Sequence, residues 1–426
     1  MNMSGLSSEQ APPISVPFRF FITAPIFGML AGVMIFLYAT QVPYLTLLSS
    51  VGIVHLITLG VLLMILLGAL SQMLPVVAGI VLPKVKLLTF WTHTLFTLGV
   101  FALGIGMIQR IGSLMIIGSI TLLLALLPFL SIVWVKLLQQ KESSATIIVM
   151  RYSIAFALMS LGIGLAMAVM YGQGNLSEII LKLRDIHIVW VSFGFVMLLI
   201  IGVAYQIVPM FYVTPSYPNW CRFHLASLLF LLLSLWAVGV FFDLIYLEKG
   251  ARVIVLGSFI GFGVITLKRF RLRKRPVMDT TIRYWMVAMG FNILGMLSLI
   301  IATFIDFDEM FYFMVSIIIG GGFVLSLLYG MLYKIVPFMT WFHLSNMGYM
   351  NVPMMRELIP ETKMRIQFIL HFMSLALIAG GYFLPLLMQI GGLFFVLSHG
   401  ALFYNLLSPI LKYREIRKQK PDFEMN

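Results

Sequence analysis

The chain has 426 residues, 61% of them hydrophobic and only 10% charged, with a mean hydropathy of +1.05. A soluble domain carries roughly 25% charged residues, so this composition excludes a water-soluble fold and makes lipid the solvent. The net charge of +13 would suit nucleic acid in a soluble protein, but here Lys and Arg cluster at the ends of apolar runs, so no nucleic-acid partner is expected. One cysteine, Cys221, excludes internal disulfides, cysteine-based zinc sites and iron–sulfur clusters, and the thirty scattered methionines read as apolar filler.

A short polar tail, residues 1–17, opens the chain and lacks the basic region of a signal peptide. Apolar runs then predict twelve membrane spans, near 18–38, 45–70, 88–108, 112–136, 152–171, 185–210, 223–245, 252–267, 282–304, 311–338, 365–386 and 391–411. The eighth is short, and the third and fourth divide tightly at Gln109-Arg110. A second tail, 412–426, closes the chain. With the N-terminus inside, 23 of the 28 Lys and Arg residues fall on the inner side; only Arg110, Lys182, Arg184, Lys249 and Arg252 fall outside. The positive-inside rule therefore predicts a bacterial-type inner-membrane protein with both tails cytoplasmic. The basic loop Lys268–Arg275 marks this topology and suits contact with anionic headgroups.

Three spans end alike. Gly60, Gly68, Gln72 and Pro75 stand in the second, Gly194, Gly202, Gln206 and Pro209 in the sixth, and Gly322, Gly330, Lys334 and Pro337 in the tenth. The pattern G-x7-G-x3-[QK]-x2-P recurs four spans apart. The first, fifth and ninth spans open on Phe18-Arg19-Phe20, Met150-Arg151-Tyr152 and Ile282-Arg283-Tyr284, with the arginines spaced by 132 each time. These repeats predict an all-α membrane fold of three quasi-equivalent four-helix units, about 18–136, 150–267 and 282–411. Eight residues is slightly over two turns, so each glycine pair lies close to one helix face, where backbones approach closely. The proline falls near the inner end, and the Gln or Lys one turn earlier reaches the interface or caps freed carbonyls.

Twelve helices in three quartets resemble the heme-copper oxidase subunit I superfamily over nearly the full length. The local likeness is in the second span, Val54-His55-Leu56-Ile57-Thr58-Leu59-Gly60 through Gln72-Met73-Leu74-Pro75, which is similar to the low-spin-heme helix of the cbb3-type and nitric-oxide-reductase branch. The resemblance implies His55 as a heme ligand. The chain departs from the family elsewhere. Its tenth span lacks the His-x-His pair, with Ile317 at the position matching His55. The seventh offers only His224, near the inner end, where the family has a copper-binding His-His pair. What is implied is a stand-alone relative without the oxygen-reducing centre.

His93, His224 and His371 are expected at the inner ends of the third, seventh and eleventh spans, and His343 in a solvated loop after Pro337. His55, His187 and His399 fall in the outer half. Each alone suits a hydrogen-bonded core histidine. His55 and His399, expected at similar depth, also suit the two axial ligands of a b-type heme, with His187 as an alternative partner or as third ligand of a metal site. All fifteen carboxylates lie at span ends or in loops and tails, which speaks against a carboxylate-driven proton carrier. Tyr205, Tyr333, Asn292 and Asn405 remain as polar residues within spans. No nucleotide motif is present. Three functions stay open. The first is a heme protein for electron transfer or gas sensing. The second is a cofactor-free transporter or metal- or heme-handling protein on the same scaffold. The third is an accessory subunit beside a respiratory complex or redox partner.

Overall fold

The computed structural model describes residues 12–141, 144–175, 177–275 and 277–422, so parts of both expected tails (1–11 and 423–426) lie outside the described residues. Among the described residues every regular element is helical. Eleven helices are long and apolar enough to cross a membrane: α1 (Ser15–Leu37), α2 (Leu48–Val76), α3 (Val85–Ile108), α4 (Gly112–Leu138), α5 (Ala145–Gly172), α6 (Glu178–Tyr212), α8 (Ile245–Arg271), α9 (Thr280–Ile301), α10 (Glu309–Ser345), α11 (Glu361–Gly380) and α12 (Pro385–Ile416). Between α6 and α8 lies α7 (Leu225–Phe241), apolar but only 17 residues long. Single turns at Asn219–Phe223 and Met355–Leu358 complete the order. The chain is an all-α, multi-pass membrane protein.

Local chemistry explains the boundaries. Ser144 caps α5 by accepting the Ile147 N–H, and Pro385 opens α12 where no amide hydrogen is needed. Arg110 takes φ +56° between α3 and α4, so the tight break expected there is a left-handed turn. The eighth helix is not the short one. Its N-terminal turns carry Glu248 and Arg252, which neutralise each other as an i,i+4 ion pair inside the helix, so the helix starts earlier than the apolar run. α7 is short instead, because His224 breaks the ladder before it and Asp243, at φ +57°, turns the chain after it. α1 begins inside the expected polar tail, at Ser15, and α12 runs on into the other, to Ile416. Pro75, Pro209 and Pro337 sit within their helices rather than ending them.

The three helices bearing the glycine motif share a further feature. Each has a stretch where the backbone ladder widens to i→i+5: Thr58–Leu63 in α2, Trp190–Met197 in α6 and Ile317–Leu325 in α10. Such π segments make up well under 1% of residues in soluble proteins and favour functional sites. Here each contains the first glycine of the motif. The second glycine packs on the helix that precedes its own. A Cβ on Gly68 would press on Phe20 and Phe21, on Gly202 against Val149, and on Gly330 against Tyr284. These contacts fall one or two residues after Arg19 but two before Arg151, so the packing register departs from the even arginine spacing.

The helices form two compact units, each described separately. Residues 1–90, 278–288 and 309–426 make the first, in which α12 lies along α1, α10 and α11 pack on α12, and α2 packs on α1. Residues 91–277 and 289–308 make the second, in which α4 lies along α5, α5 packs on α6, and α7 pairs with α8. Within that unit Asn292 of α9 donates to the Phe259 carbonyl of α8 at 2.9 Å.

Candidate functional site: a buried polar network

The first unit carries a chain of polar side chains inside an apolar bundle. A buried polar group without a partner costs about 1–3 kcal/mol, so such groups persist where they satisfy one another or serve a purpose. At the end where α10 finishes and α11 begins, Lys334 Nζ stands 2.7 Å from Asp279 Oδ2. Asp279 also accepts from Thr281 Oγ1 at 2.6 Å and Ile282 N at 3.0 Å. Burial pushes the Asp279 carboxyl up, but the Lys334 charge and these donors outweigh it and hold it below the ordinary carboxylate value. Glu361, at the start of α11, accepts the Thr280 N–H at 2.7 Å.

Deeper, Gln367 of α11 gathers three helices. Its Oε1 accepts from the Tyr284 hydroxyl of α9 and, at 3.3 Å, from the Tyr333 hydroxyl of α10. Its Nε2 donates to Ser398 Oγ of α12 at 3.1 Å. Asn405 Nδ2 donates to Tyr333 Oη at 2.9 Å and to the Lys363 carbonyl at 3.2 Å. Tyr284, Gln367 and Ser398 are wholly buried.

One turn further along α11 stands His371, also wholly buried. Its Nε2 faces the Gly321 carbonyl at 3.2 Å and Ser326 Oγ at 2.9 Å. A carbonyl only accepts, so Nε2 carries the proton and Nδ1 is the bare acceptor. That Nδ1 is buried without a hydrogen-bond partner among the described residues. Gly321 belongs to the π segment of α10, and its carbonyl also receives the Ser326 hydroxyl at 3.0 Å. Tyr329 lies edge-on to both His371 and His399, with ring centres 5.0 and 5.7 Å away.

The nominated histidines fare differently. His399 is wholly buried; its Nδ1–H donates to the Phe395 carbonyl at 2.9 Å, and its Nε2 accepts the Tyr329 hydroxyl at 2.7 Å. Its ring rests on Gly28 so closely that no Cβ fits there. His55 is half-buried. Its Nδ1–H donates to the Val51 carbonyl at 2.8 Å, and among the described residues its Nε2 meets no partner. His187 Nδ1 donates to the Ser160 carbonyl at 3.1 Å in the second unit.

A bis-histidine heme needs two free Nε2 atoms at matching depth with room between them. His55 has the posture of a single ligand, with its far nitrogen anchored to a carbonyl. His399 does not, since Tyr329 occupies its Nε2 and Gly28 its flank. Nor do the depths agree. Gly28 meets His399 and neighbouring Phe27 meets Gly60, so His399 is level with Gly60. His55 lies five residues away along α2, about 7 Å by helical rise. The residues present do not fit the expected His55–His399 pair. Among the described residues no group of three or more His, Cys, Asp or Glu could hold a metal.

Other expectations are corrected as well. His371 is ten residues into α11, not at its end, because the helix begins at Glu361. His343 is buried within α10, which continues past Pro337 to Ser345, rather than solvated in a loop. Tyr333 and Asn405 do meet, whereas Tyr205 and Asn292 serve carbonyls in the second unit. Tyr329, Gln367, Ser326 and Ser398 belong to no sequence motif, and Tyr284 stands out in the sequence only as part of the repeated span opening. The usable signal was spacing: Lys363, Gln367, His371 and Ser374 recur every three or four residues and line one face of α11. No protein-family model matches the chain, and no curated protein sequence matches it either.

Proposed function

We propose that the chain is a cofactor-free proton-relay protein of a bacterial-type inner membrane, with both termini cytoplasmic, built on three four-helix repeats. The excess of Lys and Arg on one side supports the orientation, and the recurring π segments support the repeats. The observation that carries the function is the run of buried, mutually hydrogen-bonded side chains from Asn405, which also holds the Lys363 carbonyl, through Tyr333 and Gln367 to Ser398, in the same unit as the buried His371 and His399. A packed network leaves no room for an ion or solute to pass, but a proton needs only donors and acceptors in sequence. No carboxylate lies along the run, so imidazole is the group that accepts the proton. The bare Nδ1 of His371, which meets no partner among the described residues, is the acceptor left open to it.

Solid-state NMR of protein labelled with 15N-histidine, in lipid vesicles, tests the relay. Expected are exchange-broadened ring nitrogens for His371 and His399 in the wild type, sharpening to fixed tautomers in Tyr333→Phe and Gln367→Leu. Sharp single-tautomer signals in the wild type, unchanged in both variants, make the network structural and end the proposal. A heme on His55 is the alternative, favoured by the free Nε2 of that residue and by the oxidase-like resemblance; it would suit electron transfer with a respiratory redox partner. A reduced-minus-oxidised spectrum of wild type, His55→Ala and His399→Ala decides it. Low-spin b-type bands lost in His55→Ala support the heme, and a spectrum without bands leaves the relay alone.

A further inference from the structure

The second unit contains a cavity of about 300 Å³ between α7, α8 and the turn before α7, at the low end of small-molecule sites. Along α8 its lining runs from Ile254 through Ser258 and Gly261 to Ile265, positions that share one helix face. Eleven residues of helical rise make the groove about 16 Å long. Its side is open to the bilayer, since Trp220, Leu228 and Ile254 are exposed. Gly257 and Gly261 floor it. At Gly60, Gly194 or Gly330 a Cβ would collide with a neighbouring helix, but at these two it would meet nothing within 4 Å. Helix packing therefore does not require them, and what their missing side chains leave is a slot the width of a chain.

One end of the slot is strongly basic. Tyr217 and Cys221 form its wall there, with the Tyr217 hydroxyl 3.0 Å from Thr266 Oγ1 and the Tyr205 hydroxyl on the Cys221 carbonyl at 2.6 Å. Arg222 follows Cys221 directly, and Arg269 stands one turn beyond Ile265 and Thr266. Burial pushes the Cys221 thiol up to about 11, with the Arg269 charge pulling against it, as expected of a guanidinium close to that wall. The Nε atoms of Arg222 and Arg269 are both buried without a hydrogen-bond partner among the described residues. No Asp or Glu occurs between Ile186 and Phe242 or between Lys249 and Met278. Among the described residues neither arginine is in an ion pair. Two half-buried guanidiniums with unused donors and no carboxylate call for an anion.

We infer that this groove is a binding site for an anionic phospholipid, with one acyl chain lying along Gly257 and Gly261 and the phosphate held by Arg222 and Arg269. The chain and the headgroup are read by separate parts of the site, so they are separable by experiment. Native mass spectrometry of delipidated protein in detergent, titrated with phosphatidylglycerol or with phosphatidylethanolamine of the same chains, measures both. The wild type is expected to bind one phosphatidylglycerol about tenfold more tightly than the zwitterionic lipid, the scale set by two basic side chains. Arg222→Gln with Arg269→Gln is expected to erase that preference, and Gly257→Leu with Gly261→Leu to abolish occupancy by either lipid. The glycine variant keeps its fold because the new side chains enter open space, and an unchanged thermal melt verifies this. Inorganic phosphate at millimolar concentration is expected to leave the lipid bound. A groove-filled variant that binds phosphatidylglycerol like the wild type overturns the inference. So does free phosphate that displaces the lipid and binds the groove-filled variant equally well, which would make the arginines a site for a soluble anion.

Discussion

The His399 ring lies against Gly28 so closely that an added Cβ would overlap it. The imidazole is fixed at both nitrogens, by Phe395 and Tyr329, so it cannot rotate away from an intruding atom. Gly28→Ala is therefore expected to cost about 1–3 kcal/mol, as overpacking of a fixed core does. Gly290→Ala, on an exposed stretch of α9 where a Cβ meets nothing, should instead be neutral or stabilise by up to about 1 kcal/mol. Thermal unfolding of both variants in the same detergent checks the contrast, and equal shifts would mean that His399 can yield. Residue type alone made His399 conspicuous in the sequence, but not its partner. Tyrosine is a common membrane-helix residue, and the Tyr329 hydroxyl stands out as the partner of His399 only once α10 and α12 are in contact. His371 was misjudged for a related reason: Glu361 and Lys363 read as loop, although helix starts readily carry charge.

At the level of elements, the apolar runs gave all twelve helices, because span length is dictated by bilayer thickness. Where ends were misplaced, the cause was a charge pair or a proline accommodated inside the helix. The π segments could not be read, since i→i+5 bonding reflects the packing of neighbours rather than local propensity. One ion pair joins elements and gives a pH-dependent prediction. Lys334 of α10 and Asp279, just before α9, are both largely buried. Because the folded-state carboxyl titrates below its unfolded value, the pair stabilises the fold fully above pH ~4 and loses that contribution as pH falls through the lower folded value. Asp279→Asn leaves the Lys334 ammonium without its counter-charge and should cost about 1–3 kcal/mol at neutral pH. Lys334→Gln should cost less, since Asp279 keeps the Thr281 and Ile282 donors and glutamine fills the matching motif positions 72 and 206. Melting curves from pH 3 to 7 should converge for wild type and Asp279→Asn at the acid end. A constant gap across that range would remove the pair from the acid response.

For the whole chain, the instructive contact is between its two ends. Gly28 meets His399, and Gly32 meets Val396 and the Gly392 carbonyl, so α1 and α12 run antiparallel. Following that register, Ser15 comes level with about Lys412, which puts the start of α1 beside the end of α12. The fourth and fifth helices repeat the relation, with Gly112 packed against the Gly172 carbonyl, and the eighth and ninth repeat it through Gly263 and Asn292. If these three helix pairs are held by the same kind of contact, the break between α12 and α1 is equivalent to the loops between α4 and α5 and between α8 and α9. A circular permutant that begins at Ser144, runs to Asn426, continues through Met1 and ends at Lys141 is then expected to insert and fold. It keeps the orientation of every helix, because an even number of spans, α1 to α4, moves from front to back. The residues before α1 and after α12 supply the connection, and helix ends that lie close together make permutation tolerable. Accessibility of single cysteines at positions 182 and 274, in a Cys221→Ser background, reports orientation, and thermal unfolding reports packing. Labelling from the same two sides as in the unpermuted protein, with a similar melt, would bear out the equivalence of these helix contacts. Loss of insertion would mean that α1 must be made first, and that the repeats are alike in packing but not interchangeable in assembly.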